Sequence, residues 1–329
     1  MNLSSSSIKL DNATLSLFKN VNTSIAISAI YMVVTVVNLF GNGLSVWLLV
    51  FRTFPKTPSI IFMINLTLTD LALGAALPFQ VAYQLQGYDW NLGPNMCRFL
   101  TMMFFTNMYC SILTMMAISI DRYLGIVRPL FFRETRQRKS MAVVSCLLMW
   151  GVVLSVLYPF MTTDLTFHIP ELGITTCFDV LKKSMLPSRG AWTAFLFCMF
   201  FVLFFFPFCV TTFCYIRVIQ QLGRDSKTVQ KDRAIRLAFI VLMVFILCFA
   251  PNNILLLAHT VMRLFFNRSL YMAYKLTLCF SCLNSCLDPF IYYFACKDFR
   301  QKLRQIMKWP SLSSTESKHE HREITYSMQ

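Results

Sequence analysis

The chain has little charge for its length. Only 14% of its 329 residues are Asp, Glu, Lys or Arg, and just 15 of them are acidic. Soluble domains carry about a quarter of charged residues, so the composition argues against an ordinary soluble protein. The chain is instead 56% hydrophobic and contains 32 phenylalanines. This balance is typical of a protein that lies in a membrane.

The sequence also lacks the usual signatures of catalysis and metal binding. It has four histidines, no HExxH or GxSxG motif, and no intramembrane acid pair in a GxGD setting. No CxxC pair lies in a polar loop near a pair of histidines, so a zinc site has little support. We therefore do not expect an enzyme.

Seven apolar stretches are long enough to cross a hydrocarbon core of about 30 Å as helices that rise about 1.5 Å per residue. Some contain proline, which membrane helices tolerate because neighbouring helices satisfy the freed carbonyl groups. The sequence thus predicts an all-α membrane protein, a seven-transmembrane helix bundle with a short amphipathic eighth helix. The predicted crossings lie near residues 25–51, 59–84, 98–126, 139–160, 190–218, 235–262 and 271–295.

Positive charge is concentrated on one side of these crossings. The segments after the first, third, fifth and seventh stretches are rich in Lys and Arg, whereas the opposite side has fewer, mixed charges. The positive-inside rule makes the first side cytoplasmic, which predicts a multi-pass plasma-membrane protein with an extracellular N-terminus and a cytoplasmic C-terminus. A net charge of +15 arranged in this way favours membrane lipids over nucleic acid as a partner. Four glycosylation sequons lie on the predicted outer side: Asn2, Asn12, Asn22 and Asn267.

The predicted crossings contain short motifs that follow one another in a fixed order. They are GNGLSV, NLTLTDLALG, DRY at 121–123, FILCFAP and NSCLDPFIYY. Together they resemble the rhodopsin-like G-protein-coupled receptors over roughly residues 25–309. The blocks TPSIIFMINLTLTDL, TCFDVLKKSMLPS and CFAPNNILLLAH resemble the purinoceptor-like and lysolipid-receptor branch. The resemblance implies a receptor that activates a heterotrimeric G protein.

This resemblance divides the chain into four parts. Residues 1–24 are an extracellular glycosylated segment without the apolar region of a cleavable signal peptide. Residues 25–296 are the receptor domain, and residues 297–309 are an amphipathic helix at the inner membrane surface. Residues 310–329 are a polar tail that we expect to be disordered. Its serines and threonines make a receptor kinase and arrestin expected partners.

The resemblance also implies which residues carry activation. Arg122 cannot lose its proton and is expected to pair with Asp121 at rest. An outward movement of the sixth helix would free it to meet Tyr215 and the G protein, which is a two-state element that a ligand can bias. Phe249, where many relatives have Trp, is a candidate rotamer switch. The expected coupling residues are Asp121, Arg122, Tyr123, Pro129, Leu130, Tyr215, Phe245, Phe249, Pro251, Asp288, Pro289 and Tyr292.

A lone charge near the middle of a membrane costs about 2.5–3.5 kcal/mol on insertion scales, so Asp70 needs partners. The family positions around it all carry oxygen, and in this family they form a sodium pocket. A protonated, hydrogen-bonded core without an ion is the alternative. No other cofactor is expected. The expected sodium ligands are Asp70, Asn107, Ser111, Asn284 and Asp288.

Two cysteines face the oxidising outer side. Cys97 heads the third crossing and Cys177 lies in the second outer loop, so we expect a disulfide between them. It would hold that loop over the ligand entrance.

The expected ligand is a small amphipathic anion. Phe104 and Phe105 stand where amine receptors need an acid, and basic groups near the mouth could bind a phosphate or carboxylate. Two departures from nucleotide-binding relatives favour a lysolipid or lipid conjugate. These are Asn253 and Leu256 in place of their His-x-x-Arg/Lys, and a missing second disulfide. The expected binding residues are Tyr83, Thr101, Phe104, Phe105, Met108, Lys182, Asn252, Asn253, Leu256, His259, Arg263 and Lys275.

Other functions stay open at this stage. The Rho-activating G-protein class is expected from relatives in this branch, and a nucleotide-activated purinoceptor coupled to the inhibitory class is the alternative. A secondary transporter could use Asp70 and Asp288 as an ion relay, but transporters usually show internal repeats, and none is visible here.

Overall fold

The computed structural model describes residues 15, 18–128, 139–180, 182–224, 229–266, 268 and 270–306. Within them it is a bundle of helices with one small hairpin at the end that the sequence predicts to be extracellular, which is called the outer end below. The helices are α1 (Val21–Trp47, extended by a π-helical turn Leu48–Arg52), α2 (Pro58–Leu85), α3 (Gly93–Val127), α4 (Lys139–Thr162), α5 (Arg189–Phe197, Cys198–Phe205 and Phe206–Arg224 in succession), α6 (Val229–Val244, Phe245–Phe249 and Ala250–Phe265 in succession), α7 (Tyr271–Ser281), α8 (Asn284–Ala295) and α9 (Lys297–Ile306).

Side-chain caps fix where several helices begin. The Asn20 side chain accepts a hydrogen bond from Thr23 N at 3.2 Å, and the Ser188 hydroxyl accepts one from Ala191 N at 3.1 Å. Such caps satisfy amide groups that have no partner inside the helix. At the start of α2, Pro58 occupies the first turn, where its missing N–H removes nothing that the helix needs.

The predicted seven-helix bundle is confirmed, with one difference in its last crossing. Six described helices, α1 to α6, are long and apolar enough to span a membrane. The seventh crossing is built from α7 and α8 in succession. Between them, Cys282 N and Leu283 N bond to carbonyl groups only three residues earlier, at 3.3 and 3.1 Å. This tight turn contains no Gly or Pro, so the sequence pattern gave no sign of it.

The bundle is apolar on its outside, and inside it buries several polar side chains among apolar ones. Phe40, Leu147 and Phe239 are 77%, 66% and 63% exposed and face away from the neighbouring helices. Asn42 and Asp70 are fully buried between helices. This arrangement suits a lipid surround, where polar side chains find partners only inside the protein.

Two of the prolines inside helices coincide with changes in helix type. In α5 the π-helical segment Cys198–Phe205 ends just before Pro207, and in α6 the segment Phe245–Phe249 ends just before Pro251. Because proline lacks an N–H, the carbonyl one turn earlier needs another donor, and a wider turn is one way to supply it.

A glycine allows two helices to come close. A Cβ atom on Gly74 would lie 2.9 Å from Leu39 Cδ2, which real Cβ atoms do not tolerate. Small residues at such points let membrane helices pack backbone to backbone. The contact brings α2 against α1 beside the polar core.

The outer loop between α4 and α5 forms a hairpin of β1 (Thr166–Ile169) and β2 (Ile174–Cys177), paired antiparallel. The predicted disulfide is present: Cys177 at the end of β2 is bonded to Cys97 in the first turns of α3. Asp89 also accepts a hydrogen bond from Thr175 N at 2.9 Å. The loop is therefore held over the outer end of the bundle.

The predicted amphipathic helix is α9, which ends at Ile306; residues 307–309 of the prediction lie outside the described residues. Phe299 is buried and packs edge-on against Tyr292, with 6.0 Å between ring centroids. The Arg300 guanidinium donates to the Tyr293 carbonyl at 3.2 Å. These contacts attach α9 to the inner end of α8.

Candidate ligand and transducer sites

A cavity opens at the outer end of the bundle, between α1, α2, α3, α7 and the hairpin loop. Its walls divide by polarity. Along α2, α3 and α7, the polar lining residues lie about one turn nearer the outer end of the bundle than most of the apolar ones, and they form the rim of the cavity. The apolar lining includes Leu73, Leu77, Leu100, Phe104, Phe105 and Leu278, and the rim includes Gln80, Thr101, Asp179, Tyr274 and Lys275.

Asp179, just after the disulfide, organises the rim. Its carboxylate accepts hydrogen bonds from the Tyr83 and Tyr271 hydroxyls and from the Lys275 ammonium, the last at 2.7 Å. The Asp179 and Lys275 side chains are only 3% and 5% exposed. A buried ion pair of this kind requires additional hydrogen bonds to offset the loss of water, and the two tyrosines supply them.

The residues around Asp179 hold it in place from two further sides. The Tyr83 hydroxyl accepts a hydrogen bond from Cys177 N at 3.2 Å, so α2 binds two positions of the same loop. Phe178 has a φ of 61°, a left-handed conformation that is uncommon for residues other than glycine. Its ring packs against Phe105 and Phe160, with centroids 5.4 and 5.1 Å away.

The predicted ligand residues fall into separate groups. Thr101, Phe104, Phe105 and Lys275 line the cavity, and Tyr83 reaches its rim through Asp179. The remaining predicted residues that the structure describes are not among its walls: Met108, Lys182, Asn252, Asn253, Leu256, His259 and Arg263.

The second group belongs mainly to the interface of α3 with α6. Tyr109 donates to Asn253 Oδ1 at 3.0 Å, and Asn252 Nδ2 lies 3.2 Å from Met108 Sδ. Further out, His259 Nδ1 accepts a hydrogen bond from Leu270 N at 3.1 Å, and its ring stacks on Tyr274.

Lys182 has an acidic neighbour of its own. It forms an exposed ion pair with Asp164 at 3.4 Å. Partial burial raises the pKa of Asp164, but hydrogen bonds from Thr166 and the charge of Lys182 outweigh it and hold that pKa below its ordinary value.

The sequence analysis did not predict Asp179 as a site residue. The available signal was an acid two residues after a loop cysteine and close to two lysines.

The expected sodium residues meet in the middle of the bundle. Asn107 donates to Asp70 Oδ1 at 2.9 Å, and the carboxyl groups of Asp70 and Asp288 adjoin each other. Apart from the contact between the two carboxyl groups, several buried polar atoms here have no hydrogen-bond partner among the described residues. They are Asp70 Oδ2, Ser111 Oγ, Asn284 Nδ2 and both carboxylate oxygens of Asp288.

At the inner end of the bundle, the DRY segment lies in the last turns of α3. Asp121 accepts a hydrogen bond from the Ser59 hydroxyl of α2. The half-buried Arg122 lies close to Tyr215 of α5 and to Cys296, just before α9. The Tyr123 ring lies 6.0 Å from the Phe213 ring.

Some predicted residues cannot be placed. Pro129 and Leu130 lie outside the described residues, as do Asn2, Asn12 and Asn267, whereas Asn22 is exposed on α1.

The aromatic pair of α6 lies between the two ends. Phe249 is fully buried, and its ring is 5.6 Å from the Phe245 ring, which in turn lies 5.7 Å from Phe208 of α5. Asn253 Nδ2 donates to the Phe249 carbonyl at 2.9 Å, next to the proline of this helix.

The fold and these motifs define a class of protein. The family model "7 transmembrane receptor (rhodopsin family)" matches residues 41–292, and the chain belongs to this family. Its members are receptors rather than enzymes. The chain is therefore a multi-pass membrane protein that responds to a small-molecule ligand and acts through G proteins.

Individual relatives show which branch of the family the chain resembles. The chain is 50% identical to purinoceptor 8 of Gallus gallus, over 97% of this chain and 89% of that protein. It is 47% identical to the S-geranylgeranyl-glutathione receptor of Homo sapiens, over 90% of this chain and 83% of that protein. Proteinase-activated receptor 2 of Rattus norvegicus is 37% identical, over 93% and 79%. The resemblance to the purinoceptor-like branch is confirmed.

Proposed function

We propose that this receptor senses an extracellular amphipathic ligand of the lipid-conjugate class. The observation that carries the proposal is the outer cavity, whose deep part is apolar and whose rim is polar and charged. A ligand with a long apolar tail and a polar head group matches this division. The human relative is named for S-geranylgeranyl-glutathione, a prenyl chain on a peptide, which has the same two parts.

A nucleotide fits this cavity less well. Several phosphate groups need several cations, but Lys275 is the one cation among the lining residues that the structure describes, and Asp179 already neutralises it. The nucleotide-activated alternative therefore becomes an arm of the experiment below.

We also propose the side and the partners on which the signal acts. The distribution of Lys and Arg supports an extracellular N-terminus and a cytoplasmic C-terminus. The family resemblance supports the Rho-activating G-protein class, and the tail serines and threonines support a receptor kinase and arrestin as partners. The basic, amphipathic α9 supports a contact with membrane lipids.

The decisive experiment is a ligand panel on cells that express the chain. We expect a prenyl-glutathione conjugate to activate a Rho reporter, with weaker activation by a lysophosphatidic acid and none by nucleoside diphosphates. A parallel cyclic-AMP assay tests the inhibitory class. Activation by a nucleotide alone, or by none of these compounds, would contradict the proposed ligand class.

We further propose that Asp70 and Asp288 hold a sodium ion in the unliganded receptor. The residues fit such an ion, because apart from the contact between the two carboxyl groups, five buried polar atoms on or beside the two acids have no partner among the described residues, and four of these atoms are oxygens. Oxygen ligands suit hard cations. A bound sodium ion would supply positive charge between two carboxyl groups that otherwise repel each other.

This proposal predicts a sodium-dependent stability of the purified receptor. At a sodium concentration 100 times the dissociation constant, binding adds about 2.7 kcal/mol to the free energy of unfolding. We expect a higher midpoint of thermal unfolding in sodium chloride than in N-methylglucamine chloride of equal ionic strength. Asp70→Asn should remove this difference, while Asp232→Asn, at an exposed position of α6, should keep it. Equal midpoints in the two salts would show that no stabilising sodium ion binds.

A further inference from the structure

The outer cavity has an unusual balance of charge. Among its described lining residues, Lys275 is the one cation and Asp179 the one carboxylate, and their charged atoms are 2.7 Å apart. The walls therefore have no net charge. A purely anionic head group would meet a lysine that is already paired, and a purely cationic one would meet an aspartate that is already paired.

The pair nevertheless has hydrogen-bonding capacity left. A carboxylate has about four lone-pair positions. Asp179 uses one on Oδ2 for Tyr83 and two on Oδ1 for Tyr271 and Lys275, so one position on Oδ2 remains. An ammonium group has three N–H donors, and Lys275 uses one of them for Asp179. Two donors remain.

A further polar group lines the cavity beside this pair. Tyr274 is 4% exposed, and its hydroxyl has no hydrogen-bond partner in the part of the chain that the structure describes. Buried hydroxyl groups normally have a partner. A ligand group at the rim would supply one.

We infer that the cavity recognises a zwitterionic α-amino-acid head group, with its ammonium on Asp179 and its carboxylate on Lys275 and Tyr274. In an α-amino acid both charged groups are attached to one carbon, so they can meet both members of an adjacent ion pair at once. The apolar tail then lies along Phe104 and Leu278. This inference rests on the proposed function and specifies the head group that it left open. Glutathione carries such a group at its γ-glutamyl end.

The rim is built so that this binding needs no rearrangement of the pair. The disulfide at Cys177 and the Tyr83 hydroxyl, which contacts two loop positions, fix Asp179 opposite Lys275. A zwitterion therefore adds bonds to an intact pair. A simple anion would have to face Asp179 without a donor, and a simple cation would have to face Lys275 without an acceptor. Both leave a buried charge poorly compensated.

Three amphiphiles with the same tail test the inference on the purified full-length receptor. They are S-geranylgeranyl-cysteine, its N-acetyl derivative and S-geranylgeranyl-cysteamine, which are respectively zwitterionic, anionic and cationic. Because bonds to charged groups are lost in both analogues, we expect the zwitterion to bind about tenfold or more tightly than either.

Two variants should change this order in opposite ways. Asp179→Asn should remove the preference for the zwitterion over the anion, and Lys275→Gln should remove its preference over the cation. Asp164→Asn, at the exposed acid of the same loop, should leave both ratios unchanged. Ratios between ligands on one preparation do not depend on how much of a variant folds, and the wild-type comparison needs no variant at all.

The outcomes separate this inference from the function on which it rests. If all three compounds bind equally, or the anion binds best, the receptor still takes an amphiphile but the zwitterion inference is wrong. If none of them binds, both the inference and the proposed ligand class are wrong. If the order is as expected but Asp164→Asn changes it as much as Asp179→Asn does, the assignment to Asp179 is wrong.

Discussion

We expect Arg122→Ala to reduce ligand-stimulated G-protein activation to the level of cells that lack the receptor, while the protein still reaches the cell surface. Arginine side chains are charged in proteins, and Arg122 lies half-buried at the inner end of α3, close to Tyr215 of α5 and Cys296 before α9. It is therefore placed where three segments meet. A receptor that loses this charge loses the group expected to change partners between its two states.

The control for this substitution is Arg128→Ala, six residues further along the chain. Arg128 is exposed just after α3, so its replacement should leave signalling within about twofold, as surface substitutions have small effects. Surface expression is measured by antibody binding and exchange by a guanine-nucleotide assay on membranes. Full signalling by Arg122→Ala would contradict the assigned role. Ligand-driven transport by either variant would instead support the transporter alternative.

The second large effect concerns the buried ion pair of the outer rim. We expect Asp179→Asn and Lys275→Met each to lower the free energy of unfolding by about 3–5 kcal/mol, because each leaves one buried charge without its partner. Their combination should destabilise less than the sum of the two, since neither charge is then left alone. A loss of unfolding free energy in the double variant that is smaller than the sum of the two single losses would show that the two side chains interact.

Thermal unfolding of the purified receptor without ligand measures the effect, so it does not depend on any ligand assignment. The matched control is the exposed pair of Lys182 with Asp164, whose side chains are 23% and 56% exposed. Lys182→Ala should change stability by about 0–1 kcal/mol. Additive losses at Asp179 and Lys275 would show that the two side chains act independently, against the geometry of the rim.

The outer cavity, the polar core around Asp70 and Asp288, and the inner end of the bundle are linked along one segment of the chain. Lys275 lies on α7, Asp288 and Tyr292 lie on α8, and the tight turn at Cys282 separates the two helices. A ligand that bonds to Lys275 therefore acts on the same crossing that carries the polar core and the buried inner tyrosine. This arrangement gives a physical route by which outer occupancy biases the inner end.

Much of this receptor could be predicted from the sequence, because hydropathy and motif order are local properties. The bundle, the amphipathic α9 and the disulfide at Cys97 all follow from apolar run length, periodicity and the outer position of two cysteines. The break between α7 and α8 could not be predicted in this way. It occurs at Cys282 and Leu283, residues that are common within membrane helices and give no turn signal.

In the ligand site, too, some features could be predicted from the sequence, whereas others became visible only in the folded structure. Residue order and hydropathy were enough to place Lys275 near the outer mouth, and the family resemblance implied that Phe104 and Phe105 stand where amine receptors have an acid on the third helix. The folded chain was needed to show that Asp179, 96 residues away, pairs with Lys275, and that Asn252 and Asn253 belong to the α3–α6 interface. Pairing across such a distance depends on how the hairpin loop folds back over α2 and α7, and no local pattern of charge or hydropathy encodes that path.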